Sequence, residues 1–327
     1  MRRLALAGAV LLLAGCGGGG GGDRPAHLTL TLDWTPNPDH VGFYYARDTG
    51  LFRQAGLDVS IHAPSDPTAS LKLVAAGTSD LAVSYEQEIF IAAQKGLPVV
   101  AVAAVVGRPL NSIMAIDPRI RSLADLRGRT IGITGVPADY AALDAALRSA
   151  GLTRADVKVV TVGYSLLPAL LSHKVDAVLG VYRNVEGIEL EQRGLHPTVI
   201  PLDRAGVPTY DELVLVASSD RLRRDPAYRD HVRRFVTAFL AGEQQARVHP
   251  QQALAILSKV TASGTGFLAR ATPATLALLP GSRGVGCMSR SQWRRFEAWM
   301  VTEKLLKLSV PLDRAMTTRF LPSRCRA

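Results

Sequence analysis

The sequence predicts an α/β protein of two lobes, joined by a hinge and holding a ligand cleft between them. From residue 26 onward, short β-favouring runs alternate with amphipathic runs of helical length. The alternation breaks and restarts near residue 109. A body of about 300 residues also exceeds what one hydrophobic core usually serves.

The chain opens with Arg2 and Arg3, an apolar run over residues 4–13, and the segment Leu13-Ala14-Gly15-Cys16. This is the layout of a secretion signal over residues 1–15, cleaved so that Cys16 leads the mature chain and receives lipid. The run is shorter than the ~20 residues that span a bilayer. Residues 16–25, with the unbroken glycines 17–22, are expected to tether the body to the outer side of a bacterial cell membrane.

In the body, residues 27–32 alternate as a strand, and Pro36 and Pro38 make 33–40 a polar loop. A helix is expected over 41–52, closed by Gly56, then a strand over 57–63 and a helix over 68–76 ending at Gly77. A strand at 81–84, a helix at 88–95 stopped by Gly96 and Pro98, and a strand at 99–106 complete this part. The pattern restarts with a strand at 129–133, a loop at 134–137, a helix at 140–150 and a strand at 157–162. A helix from Pro168 and a strand at 175–181 follow. A strand at 213–217 precedes a mainly helical remainder from Tyr228. Such alternation argues for parallel sheets with crossover helices. The expected division is lobe I from 26–108 and 207–327 and lobe II from 109–206, with two crossings forming the hinge.

Ligands in such architectures bind at loops on the carboxyl ends of the strands. That rule nominates 33–40, 84–87, 134–137 and 181–186, with 208–212 beside the hinge. Trp34, Tyr85, Tyr182 and Tyr210 each fall in one of these segments, in a chain only 6% aromatic. Their faces suit a planar ring, with stacking of about 0.5–1.5 kcal/mol beyond area burial. Asn37, His40, Glu86, Thr134 with the Gly135 amide, Asn184 and Glu186 supply polar partners. Each has an ordinary alternative: a core tyrosine, a structural histidine, or a solvated carboxylate at a helix start.

The formal net charge is +10, but the arginines are scattered and form no aromatic-basic stripe, so no nucleic-acid partner is expected. Cys287 and Cys325 remain after Cys16, either as a disulfide or as two separate thiols. No metal-ligand spacing flanks them, and no hydrolase, phosphate-loop or dinucleotide motif occurs. Neither a metal nor a cofactor is expected, and the body is taken as a monomer.

Leu32-Asp33-Trp34-Thr35-Pro36-Asn37 with His40, Gly42 and Tyr44, then Gly50-Leu51-Phe52, Gly56-Leu57-Asp58-Val59 and Ser84-Tyr85-Glu86, resembles the thiamine-precursor binding proteins of the ThiY type. The resemblance continues through Gly96-Leu97-Pro98-Val99 to Gly206-Val207-Pro208. It implies a type II periplasmic-binding fold, a closing cleft, and a pyrimidine such as formylaminopyrimidine or hydroxymethylpyrimidine passed to an ABC permease. It also implies stacking by Trp34 and polar contacts from Asn37, His40, Tyr85, Glu86, Tyr182, Asn184 and Glu186. One departure is Arg183, where relatives often carry an aromatic; it adds charge near the cleft and keeps riboflavin or an alkanesulfonate in view. A related eukaryotic branch makes the pyrimidine from its own lysine and histidine. Ser84 and Glu88 stand at those two positions here, and no cysteine cluster follows Pro208, so that chemistry is not expected and the chain is read as a binding protein.

Overall fold

The computed structural model describes residues 24–326 apart from Ser65, Pro67, Thr68, Tyr164 and Ser282. The expected signal, Cys16 and residues 17–23 of the tether lie outside the described residues. Among the described residues, ten strands run in chain order: β1 (Ala26–Thr31), β2 (Leu57–His62), β3 (Leu81–Ser84), β4 (Val99–Val106), β5 (Asn111–Ala115), β6 (Thr130–Ile133), β7 (Lys158–Thr161), β8 (Ala177–Tyr182), β9 (Thr198–Pro201) and β10 (Leu213–Ser218). The helices of the first part are α1 (Val41–Asp48), α2 (Leu51–Gln54), α3 (Ala69–Ala75) and α4 (Glu86–Gln94). Between the crossings lie α5 (Pro137–Ser149), α6 (Leu166–Leu171) and α7 (Glu186–Gln192). After β10 come α8 (Ser219–Arg224), α9 (Pro226–Val248), α10 (Pro250–Val260), α11 (Thr265–Leu278), α12 (Arg290–Thr302) and α13 (Leu312–Ala315).

The strands form two five-stranded sheets, ordered β2-β1-β3-β10-β4 and β7-β6-β8-β5-β9. The chain passes between them at 107–110 and 202–212. The sheets are mixed, which corrects the expectation of parallel ones: β10 lies antiparallel to β3 and β4, and β5 antiparallel to β8 and β9. Both reversed strands follow directly on a crossing. They start at the inter-lobe end and run away from it, whereas β1, β3, β6 and β8 run toward it. The sequence reading also missed β5, β9 and α7, and it merged α1 and α2, which part at Gly50 in a left-handed conformation (φ 83°).

Burial explains the runs that read most clearly. Every residue of β4 and β10 is buried, so both are apolar throughout rather than alternating. The loop after β1 is aimed by α1, which packs on α9 through two glycines. A Cβ on Gly242 would lie 2.5 Å from the Gly42 carbonyl oxygen, and one on Gly42 2.9 Å from the Phe239 ring. Beside them Phe43 stacks on Phe239 at 4.3 Å.

The outer edge of β4 is covered. Ala104 N–H donates to the Gly286 carbonyl (3.0 Å), and Thr317 N–H donates to the Ala101 carbonyl (2.9 Å). The Cys287–Cys325 disulfide ties the two covering segments together and settles the choice that the sequence left open. Among the described residues, no helix is long and apolar enough to cross a membrane.

Candidate ligand-binding cleft

Between the sheets lies a cavity of about 520 Å³ with walls from both lobes. In the first wall, Asn37 caps the short turn Pro38–His40: its side-chain oxygen accepts from Asp39 N–H (2.8 Å), and its own N–H donates to His40 Nδ1 (3.3 Å). Because Nδ1 accepts, the ring proton is assigned to Nε2, which donates to Asp33 Oδ1 (2.8 Å). The second oxygen of Asp33 accepts the Tyr85 hydroxyl (3.0 Å). His40 is fully buried behind the wall, while Trp34, Asn37, Asp33 and Tyr85 face the cavity.

The second wall comes from the ends of β6 and β8. Thr134 N–H and hydroxyl and Gly135 N–H all donate to one oxygen of Asp139. Tyr182 N–H donates to Glu186 Oε2 (2.7 Å). Burial pushes Glu186 up to about 7, against the pull of the Tyr182 N–H. Burial also raises Asp139 and Glu88. Glu212, at the hinge, is pushed by burial up to about 7 despite accepting from Leu110 N–H (2.7 Å), Asn111 N–H (2.9 Å) and Tyr210 hydroxyl (3.1 Å). Asp33, Glu88, Asp139, Glu186, Glu189 and Glu212 thus line the cavity, with the exposed Lys72 and Lys95 as its cations. Carboxylates only accept, so the walls ask for N–H donors.

Of the residues singled out in the sequence, the structure gathers Trp34, Asn37, Tyr85, Thr134, Tyr182 and Glu186 on the cavity wall and leaves His40, Glu86, Gly135, Asn184 and Tyr210 off it. Glu86 turns inward and accepts from Asp211 N–H (2.6 Å) and Gln292 Nε2 (3.2 Å); burial holds its carboxyl well above the usual range. Asn184 is buried and donates to Asp39 Oδ1 (2.6 Å) and Thr275 Oγ1 (2.8 Å) of the opposite lobe. The Tyr210 ring is buried against Phe296 at 4.8 Å. Arg183 also departs from expectation: its guanidinium donates to the Pro109 carbonyl (2.9 Å), and it does not line the cavity. Asp33, Glu88, Asn111, Asp139 and Glu212 were assigned no contact role in the sequence. Their only signal was position at a strand end or one helical turn beyond it.

Residues 37–253 match the family described as NMT1/THI5 like. The chain is 36% identical over 258 residues to the formylaminopyrimidine-binding protein of Halalkalibacterium halodurans, covering 78% of this chain and 77% of that protein. It is 27% identical over 307 residues to the riboflavin-binding protein RibY of Chloroflexus aurantiacus, covering 90% and 86%. A Saccharomyces cerevisiae 4-amino-5-hydroxymethyl-2-methylpyrimidine phosphate synthase, THI5, is more distant, at 25% identity over 167 residues and about half of each chain. Among solved structures, the periplasmic aliphatic sulphonate binding protein SsuA of Escherichia coli superposes with a TM-score of 0.70 at 17% identity, over 90% of this chain and 92% of that one. The fold is therefore the two-lobed α/β fold of periplasmic binding proteins. With this sequence match over about two thirds of the chain, including most of the residues that line the cleft, the chain belongs to the NMT1/THI5-like family.

Proposed function

We propose that this protein is the extracytoplasmic receptor of an ABC importer and closes its lobes over a thiamine pyrimidine precursor, formylaminopyrimidine or hydroxymethylpyrimidine. The observation that carries the reading is the convergence of Trp34, Tyr85 and Tyr182 with the acceptors Asp33, Glu186 and Glu212 in one inter-lobe cavity. An aminopyrimidine offers what that wall can take: a flat π-face for its aromatic rings and an edge of N–H donors for its acceptors. The 36% identity to a formylaminopyrimidine-binding protein supports the same ligand. Residues 26–108 with 207–327 would then move against 109–206 about the two crossings.

The case for a sulfonate rested on Arg183, and its guanidinium is engaged at Pro109 instead. Catalysis is disfavoured because Ser84 and Glu88, at the positions of the synthase branch's lysine and histidine, line the cavity without either group. Titration calorimetry of the purified protein with formylaminopyrimidine, hydroxymethylpyrimidine, thiamine and riboflavin tests the assignment. Saturable binding of one of the first two is expected; binding of riboflavin alone overturns it. Anchoring through Cys16 is part of the proposal, and Cys16→Ala is expected to move the protein from the membrane fraction to the soluble one.

A further inference from the structure

The two cleft tyrosines share a feature that the ligand assignment does not use. Tyr182 hydroxyl, in lobe II, donates to Glu212 Oε1 (3.4 Å). The other Glu212 oxygen is occupied by the N–H groups of Leu110 and Asn111 and by the Tyr210 hydroxyl. In lobe I, Tyr85 hydroxyl donates to Asp33 Oδ2, whose partner oxygen takes the His40 Nε2 proton. Above about pH 7 Glu212 is ionised and has no proton to give, so each tyrosine donates its single hydroxyl hydrogen to the carboxylate beside it. What each directs to a ligand is an oxygen lone pair.

We propose that Glu212 and Asp33 are specificity-determining residues: by fixing the direction of the Tyr182 and Tyr85 hydroxyls, they make the cleft select exocyclic amino groups over oxo groups on its heterocycle. This rests on the pyrimidine reading and adds to it a rule for which pyrimidines are refused. An amino group donates to both tyrosine oxygens. An oxo group in its place sets lone pair against lone pair, and a buried acceptor left unpaired is rejected strongly.

Glu212→Gln separates this role from scaffolding. The three donors around Oε2 hold the amide oxygen at that place, leaving the amide NH₂ to face Tyr182 and donate to it. The Tyr182 proton is then released toward the ligand. The experiment is titration calorimetry at about pH 8, where Glu212 is ionised, with 4-amino-5-hydroxymethyl-2-methylpyrimidine and its 4-oxo analogue on wild type, Glu212→Gln, Tyr182→Phe and Tyr85→Phe, with melting curves for each. Wild type is expected to prefer the amino compound by about tenfold or more, the ratio that one such bond commands. In Glu212→Gln the ratio is expected to fall by about tenfold through a gain for the oxo compound, and in the Phe variants through a loss for the amino compound. Folded variants that all keep the wild-type ratio overturn the inference while leaving the pyrimidine assignment standing. Wild type that binds neither compound, and no formylaminopyrimidine either, overturns both. If Glu212→Gln does not fold, the two Phe variants decide the matter by the same ratio.

Discussion

Trp34 is half-buried, follows directly on the buried Asp33, and presents its ring to the cavity rather than to a core. Trp34→Ala is therefore expected to weaken pyrimidine binding by about tenfold to a hundredfold, from lost area and stacking together, with little change in melting temperature. Calorimetry and a thermal melt read the two effects separately. The cleft carboxyls set a pH dependence. Glu186 and Glu212 are pushed to about 7, so below that value they hold protons and accept poorly. Affinity for a donor-rich ligand is expected to rise as pH increases from about 6 to 8, with protons released on binding and detected in buffers of differing ionisation enthalpy. Three of the four loop aromatics face the cavity, a placement legible in the sequence because few aromatics exist and each of these stands in a loop at a strand end. The facing of their neighbours was not. Tyr85 and Glu86 are adjacent and equally suited to a ligand by type, yet one lines the cavity and the other points into the core, where Asp211 and Gln292 meet it. His40 and Asn184 were misread for the same reason: sequence places them in the right loops but does not give the direction of a side chain there.

At the scale of elements, the joint between lobes is the informative feature. Asn184, between β8 and α7, reaches across to Asp39 before α1 and to Thr275 in α11, and all three are buried. Arg270 of α11 also pairs with Glu191 of α7 on the outside of the same joint. Asn184→Ala removes the donor to a buried carboxyl, and a cost of about 1–3 kcal/mol is expected, read as a lower melting temperature. The exposed pair contributes far less, so Arg270→Ala is expected to leave that temperature nearly unchanged. The parallel strands and their helices were visible because each carries its own apolar period and its own glycine or proline stop. The short strands β5 and β9 were not, since their pairing and antiparallel sense depend on partners remote in sequence.

For the whole molecule, buried acids dominate the response to pH. Asp39, Glu186, Asp211 and Glu212 each stand near 7, against ordinary values of 3.8 and 4.5, with burial as the leading cause in all four. Between the ordinary values and 7, the folded state holds protons that the unfolded chain has lost. The contribution of these four acids to stability is full below about pH 4 and is lost as pH rises from there through about 7. The melting temperature of the free protein is expected to be higher near pH 5.5 than near pH 8, opposite in sign to the trend in ligand affinity. A ligand that satisfies Glu186 and Glu212 should narrow that gap.

The covering of β4 bears on how the chain is made. This strand is an eight-residue, wholly buried apolar run at the edge of its sheet. It leaves the ribosome long before the segments around Gly286 and Thr317 that occupy its outer edge. A chain halted before residue 279 already holds every residue lining the cleft, yet offers β4 as a template for another copy. Lesions in the last fifty residues, or reduction of Cys287 and Cys325, should therefore lower yield and solubility while ligand choice in the surviving molecules stays the same.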